Sequence, residues 1–110
     1  MSDDDERRAA TEQAVSRDAN ELVEEIGSAW KEPSDMLEVR CECSRPGCRA
    51  TLRLSLAEYE SVREDPRHFV VLPEHADASV DRVVGSIRRY ALVEKVGAAA
   101  DVAEETDRRS

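Results

Sequence analysis

Large aromatic side chains are scarce in this sequence: one Phe, one Trp and two Tyr serve 110 residues, against 37% charged residues. A domain of this length buries a modest share of its surface, and with so few large anchors it gains from a staple such as a metal ion. Long apolar runs are also missing, and none approaches the roughly 20 residues of a membrane span. Basic charge does not dominate. Sixteen Lys and Arg face 25 Asp and Glu, for a net charge of -9. Such a chain is repelled by phosphate backbones and anionic lipid, so neither nucleic acid nor a membrane is expected as partner. Behind Met1 the chain reads Ser2-Asp3-Asp4-Asp5-Glu6, with no apolar stretch after a basic start, and a cytoplasmic location is expected. A fourth cysteine is absent too. Three cannot all pair within one chain, and the cytosol disfavours disulfides, so closely spaced thiols point to a metal.

The charge is unevenly spread. Residues 1–35 hold eleven acids and four bases, whereas residues 36–56 hold Arg40, Arg45, Arg49 and Arg53 with two glutamates. This basic island is either a contact surface for an acidic partner or phosphate, or a set of solvated side chains that balance thiolate charge.

The organisation expected is α+β: an N-terminal helix, short antiparallel strands and hairpins, and one central helix around a zinc knuckle. Residues 1–5 read as a disordered acidic tail, residues 6–106 as a single zinc-stabilised domain and residues 107–110 as a polar C-terminal end. Over residues 6–30, Val15, Ala19, Leu22, Val23, Ile26 and Trp30 fall on one helical stripe, which marks a packing or pairing element. Pro33-Ser34-Asp35 ends it. Residues 37–41 and 50–54 alternate apolar and polar and read as a hairpin. Between them Arg45-Pro46-Gly47-Cys48 has the composition of a type II turn, with Pro fixing the first central residue and Gly permitting positive φ at the second. Ser55 and Glu58 form a capping box, with Leu54 and Tyr59 as its hydrophobic staple, for a helix that runs to about residue 65 and stops at Pro66. Residues 68–72 read as a strand. Residues 80–96 fit a helix through Val80, Val83, Val84 and Ile87, yet their β-branched content, Gly85 and the alternation from Tyr90 to Glu94 weigh for two strands. A short helix is expected at 98–105.

The chemistry sits in Cys41-x-Cys43-x4-Cys48, followed by His68 and His75. Zinc takes four ligands in a tetrahedron, and Cys3His is an ordinary structural set. Pro46-Gly47 supplies the turn that gathers the thiols, although one residue between Cys41 and Cys43 is tighter than standard finger spacing. The competing readings are a redox switch through a strained Cys-x-Cys disulfide, an iron–sulfur cluster lacking its fourth Cys, and unliganded cysteines. His75 follows Pro73 at a strand end, where a loop can fold back over the knuckle. His68 opens the strand and faces out if Phe69 faces in. Position therefore favours His75, with His68, Asp77 or water as the other possibilities.

The chain also resembles a group of small uncharacterised actinobacterial proteins. The resemblance is carried by Cys41-Glu42-Cys43, by Leu56-Ala57-Glu58-Tyr59-Glu60-Ser61-Val62-Arg63, by Phe69-Val70-Val71-Leu72-Pro73-Glu74-His75 and by Leu92-Val93-Glu94-Lys95-Val96-Gly97. It covers most of residues 15–109. It implies that His75 belongs with the cysteines and that residues 80–96 form a hairpin. Glu74, where the group has Gly, and Arg108 depart from its pattern. The group brings no activity with it.

An enzyme is not expected. Four protein ligands close a zinc site, and Glu42 and Glu74 are the only obvious bases beside it. No Gly-rich phosphate loop, Ser-His-Asp arrangement or paired-carboxylate motif stands out. The expected role is a zinc-binding interaction or regulatory module with a protein partner, and the alternative is a thiol-based redox or zinc sensor.

Overall fold

The computed structural model describes residues 3–45, 47–86, 89–107 and 109. Helix α1 spans Asp3–Ser28. Residues 3–5 are thus helical where composition suggests a tail, and acids such as Asp4 and Asp5 suit the positive end of the helix dipole. Residues 1 and 2 lie outside the described residues. The amides of Trp30 and Lys31 both donate to the Gly27 carbonyl and close the helix, so Trp30 sits just beyond it.

Strands β1 (Met36–Arg40) and β2 (Thr51–Ser55) form an antiparallel hairpin with Leu37 opposite Leu54 and Val39 opposite Leu52. Period-two alternation sends these four inward and leaves Arg40 and Arg53 in solvent. Ser55 then caps helix α2 (Leu56–Val62). Its hydroxyl accepts from the Glu58 amide while the Glu58 carboxylate accepts from the Ser55 amide. The helix is shorter than its sequence signal. At Arg63 the backbone amide is satisfied by Tyr59 and Ser61, and the side chain turns inward to pair with Glu21 and Asp107.

Strands β3 (His68–Val71), β4 (Asp81–Ser86) and β5 (Ala91–Lys95) make a second antiparallel sheet, ordered β3-β5-β4. The hairpin reading of residues 80–96 holds, with a register shift between Val83 and Gly85. Ile87 and Arg88 lie outside the described residues. Helix α3 (Ala98–Glu105) packs against α1. The fold class is α+β.

The core differs from the pattern of the sequence at α1. The stripe that reads as the buried face is turned to solvent: Val15, Ile26 and Trp30 are 59%, 68% and 87% exposed. The face against the domain carries Gln13, Arg17, Asn20, Glu21 and Glu24. Polar partners on the domain explain this. Arg17 donates to the carbonyls of Pro66 and Ala103, Asn20 to the carbonyl of Arg40, and Gln13 to Asp81. Arg17 and Lys95 also lie over the Phe69 ring, 4.4 and 4.8 Å from its centroid. Where no polar partner is present, at Gly27, the absent side chain lets α1 meet Leu37; a Cβ there would stand 2.9 Å from its Cδ2. The polar C-terminal end is likewise knit in, for Arg109 pairs with Glu21, Glu24 and Glu60. Residues 108 and 110 lie outside the described residues.

Candidate metal centre

The hairpin tip delivers three thiols and the loop after β3 delivers an imidazole. The Cys48 amide donates to the Arg45 carbonyl at 3.2 Å and Gly47 has φ of +74°, as a type II turn requires. Pro46, the other half of that expectation, lies outside the described residues. On the opposite side Pro73–His75 forms a 3-10 turn, closed by the His75 amide on the Leu72 carbonyl at 2.8 Å. Side chains brace the two loops: Ser44 donates to Asp77 at 3.0 Å, and Arg45 to the Glu74 carbonyl at 2.9 Å.

The result is a cluster of Cys41, Cys43, Cys48 and His75 whose ligand atoms all lie within 4.8 Å of one another. His75 Nδ1 is 3.6 Å from the Sγ of both Cys41 and Cys48. A tetrahedral zinc with bonds of about 2.3 Å to sulfur and about 2.0–2.1 Å to nitrogen places those atoms roughly 3.6 Å apart. The donor set therefore fits the ion in chemistry and in spacing.

Each sulfur also faces one backbone N–H: Leu72 for Cys41, at 3.2 Å, Arg45 for Cys43 and Ala50 for Cys48. Such donors favour thiolate over thiol. They do not outweigh burial everywhere. Burial, with the neighbouring thiols, pushes Cys41 up to about 12, and burial raises Cys43 too. Cys48, half-buried at the rim, goes the other way. Burial raises it, but the Ala50 amide, the hydrogen bonds with Cys43 and Cys41, and the nearby Arg45 outweigh that and lower it. A bound dication reverses the penalty on the inner two.

The other candidates sit elsewhere. His68 is at the far end of β3, its Nε2 3.6 Å from carboxylates of Asp65 and Glu94. Asp77 accepts from Ser44 and Ser79. Glu74 is exposed. Glu42 points away from the thiols into the core and is wholly buried. Its Oε2 accepts from Asn20 Nδ2 at 2.8 Å and Tyr59 Oη at 3.1 Å, and its Oε1 from the Val70 amide at 3.0 Å. Alternation foretells this only in outline: the residue between two inward ligands points to the other side. That Asn20 and Tyr59 meet it there has no signal in spacing. Arg40, Arg45, Arg49 and Arg53 are all exposed.

No family model, curated protein or solved structure matches the chain, so the resemblance to the actinobacterial group rests on its motifs alone.

Proposed function

We propose that the chain is a structural zinc module that binds another protein, with Cys41, Cys43, Cys48 and His75 as the four ligands. The observation that carries this is the 3.6 Å separation of His75 Nδ1 from two cysteine sulfurs at once, which suits a tetrahedral ion. When bound, zinc would cross-link the β1–β2 tip to the loop after β3, two pieces of chain joined otherwise by few hydrogen bonds. The residues around it serve that role: Leu72, Arg45 and Ala50 donate to the sulfurs, and Ser44 and Arg45 brace the loop that carries His75. Four protein ligands leave no position for a substrate, which supports a non-catalytic reading. The net charge of -9 favours protein over nucleic acid as partner, and a cytoplasmic location suits reduced thiols. Among the described residues no helix is long and apolar enough to cross a membrane.

Cobalt substitution tests the ligand set. Tetrahedral Cys3His coordination gives intense visible d–d bands and a thiolate charge-transfer band, and His75→Ala should alter both. Bands unchanged in that variant would remove His75 from the site.

One observation supports a second reading, a zinc or redox sensor. Cys48 is the most accessible of the three thiols and its thiolate is favoured. Peroxide would oxidise two of the thiolates to a disulfide, itself reduced to water, with release of the ion. Zinc release by one equivalent of peroxide, reversed by a dithiol reductant, would select this reading over a purely structural one.

A further inference from the structure

The apolar stripe of α1 has no role in the fold of a single chain. Val15, Leu22, Val23 and Ile26, with Trp30 just past the helix end, are 59%, 48%, 38%, 68% and 87% exposed, while the polar face of the same helix is occupied by Asp81, Pro66, Ala103, Arg40 and Arg63. The orientation is therefore fixed by contacts on the other side. We propose that this stripe is the interface of a homodimer in which α1 of two chains pack antiparallel about a two-fold axis.

Three observations choose a second copy as the occupant. First, Val15, Ala19, Leu22 and Ile26 follow one another at four, three and four residues, the alternation by which two helices interlock along a seam. A straight seam of uniform chemistry is complementary to itself, as an isologous interface requires. Second, the area suffices. The exposed side chains offer roughly 600 Å², at the upper end for the largest apolar patch on a monomer. With their polar border they approach the roughly 800 Å² per partner of a standard interface. Third, the charges at the border select the direction. Val23 and Trp30 widen the seam on one side, and Asp18 and Glu25 line the other. A parallel pair would set each apolar edge against the partner's acids. An antiparallel pair joins the two apolar edges and keeps the two acidic N-terminal turns apart; it also sets Asp18 and Glu25 beside the same acids of the second copy, a repulsion that salt screens. The same acids disfavour an anionic membrane as occupant.

The proposal deepens the interaction-module reading but does not rest on the metal, since no residue of the stripe belongs to the knuckle. Its test uses the protein as purified. Sedimentation equilibrium through the micromolar range should give twice the monomer mass of 12.3 kDa. The emission of Trp30, the only Trp in the chain, should shift to the blue as the dimer forms. Added salt should tighten the dimer, because it screens two chains of net charge -9. Ile26→Glu should weaken it by roughly thirtyfold or more and leave the far-ultraviolet dichroism and metal content as in the parent. Val83→Glu, also at an exposed position but on β4 (54%), should leave the mass unchanged. A chain that stays monomeric throughout, with Trp30 emission independent of concentration, overturns the proposal. So does a dimer indifferent to Ile26→Glu. Metal content measured on the same samples reports separately on the zinc reading.

Discussion

Asn20 Nδ2 donates to Glu42 Oε2 at 2.8 Å in the middle of the domain, and so joins the polar face of α1 to the residue between two of the clustered cysteines. Glu42 is wholly buried, and burial raises its carboxyl against the hydrogen bonds that favour the charge. Three donors converge on its two oxygens. A glutamine there offers one oxygen and one NH2, so at least one donor from Asn20, Tyr59 or Val70 would face another donor.

Glu42→Gln should therefore destabilise the domain by about 1–3 kcal/mol, or several degrees in melting temperature for a domain of this size. Asn20→Ala should cost a similar amount. Thermal melts followed by dichroism read both. A Glu42→Gln melt coincident with the parent would show that the carboxylate carries no such role.

A pH effect follows from Glu24. Its carboxyl is pushed up to about 7 by burial, by its hydrogen bond to Glu60 and by the charges of Glu60 and Glu21, with Arg109 pulling the other way. A folded-state value above the ordinary 4.5 means that the folded chain holds this proton more tightly than the unfolded chain. Its contribution is thus fully present below about pH 4.5 and is lost as pH rises through 7. Glu24→Gln, which keeps the neutral shape, should raise the melting temperature above the parent's at pH 8 and by less at pH 5. Both chains carry the same candidate metal cluster, so the difference between them cancels its pH dependence. A stabilisation larger at pH 5 than at pH 8 would contradict this.

The two histidines separate cleanly. His75→Ala should lower zinc affinity and stability strongly, because Nδ1 faces two sulfurs. His68→Ala removes contacts at 3.6 Å to half-exposed carboxylates, worth little at a surface. Competition titration against a chromogenic chelator measures both. Loss of metal in the His68 variant and its retention in the His75 variant would reverse the assignment.

Much of this was legible from residue order. The Ser55–Glu58 box, the alternation in β1 and β2, and the thiols at a Pro-Gly turn are local signals, and local physics decides them. The fourth member of the cluster needed the strand end at Pro73 and its following turn, also local. The orientation of α1 was not legible in this way. Its stripe satisfies every periodicity rule for a buried face, but which face turns inward depends on Pro66, Arg40, Arg63 and Asp81, residues 20 or more positions away. Those partners prefer the polar side, and no pattern within the helix announces them. The inward reach of Arg109, from a stretch that composition marks as a loose end, has the same cause.

A structural metal at Cys41, Cys43, Cys48 and His75 is tested most directly by native mass spectrometry combined with chelation. The expected result is one zinc per chain, lost together with the fold when a strong chelator is added or the pH is lowered. The thiolates and His75 must be deprotonated to bind, so falling pH returns protons to the ligands and releases the ion. A metal-free chain that remains folded and is indifferent to chelator would contradict a structural metal.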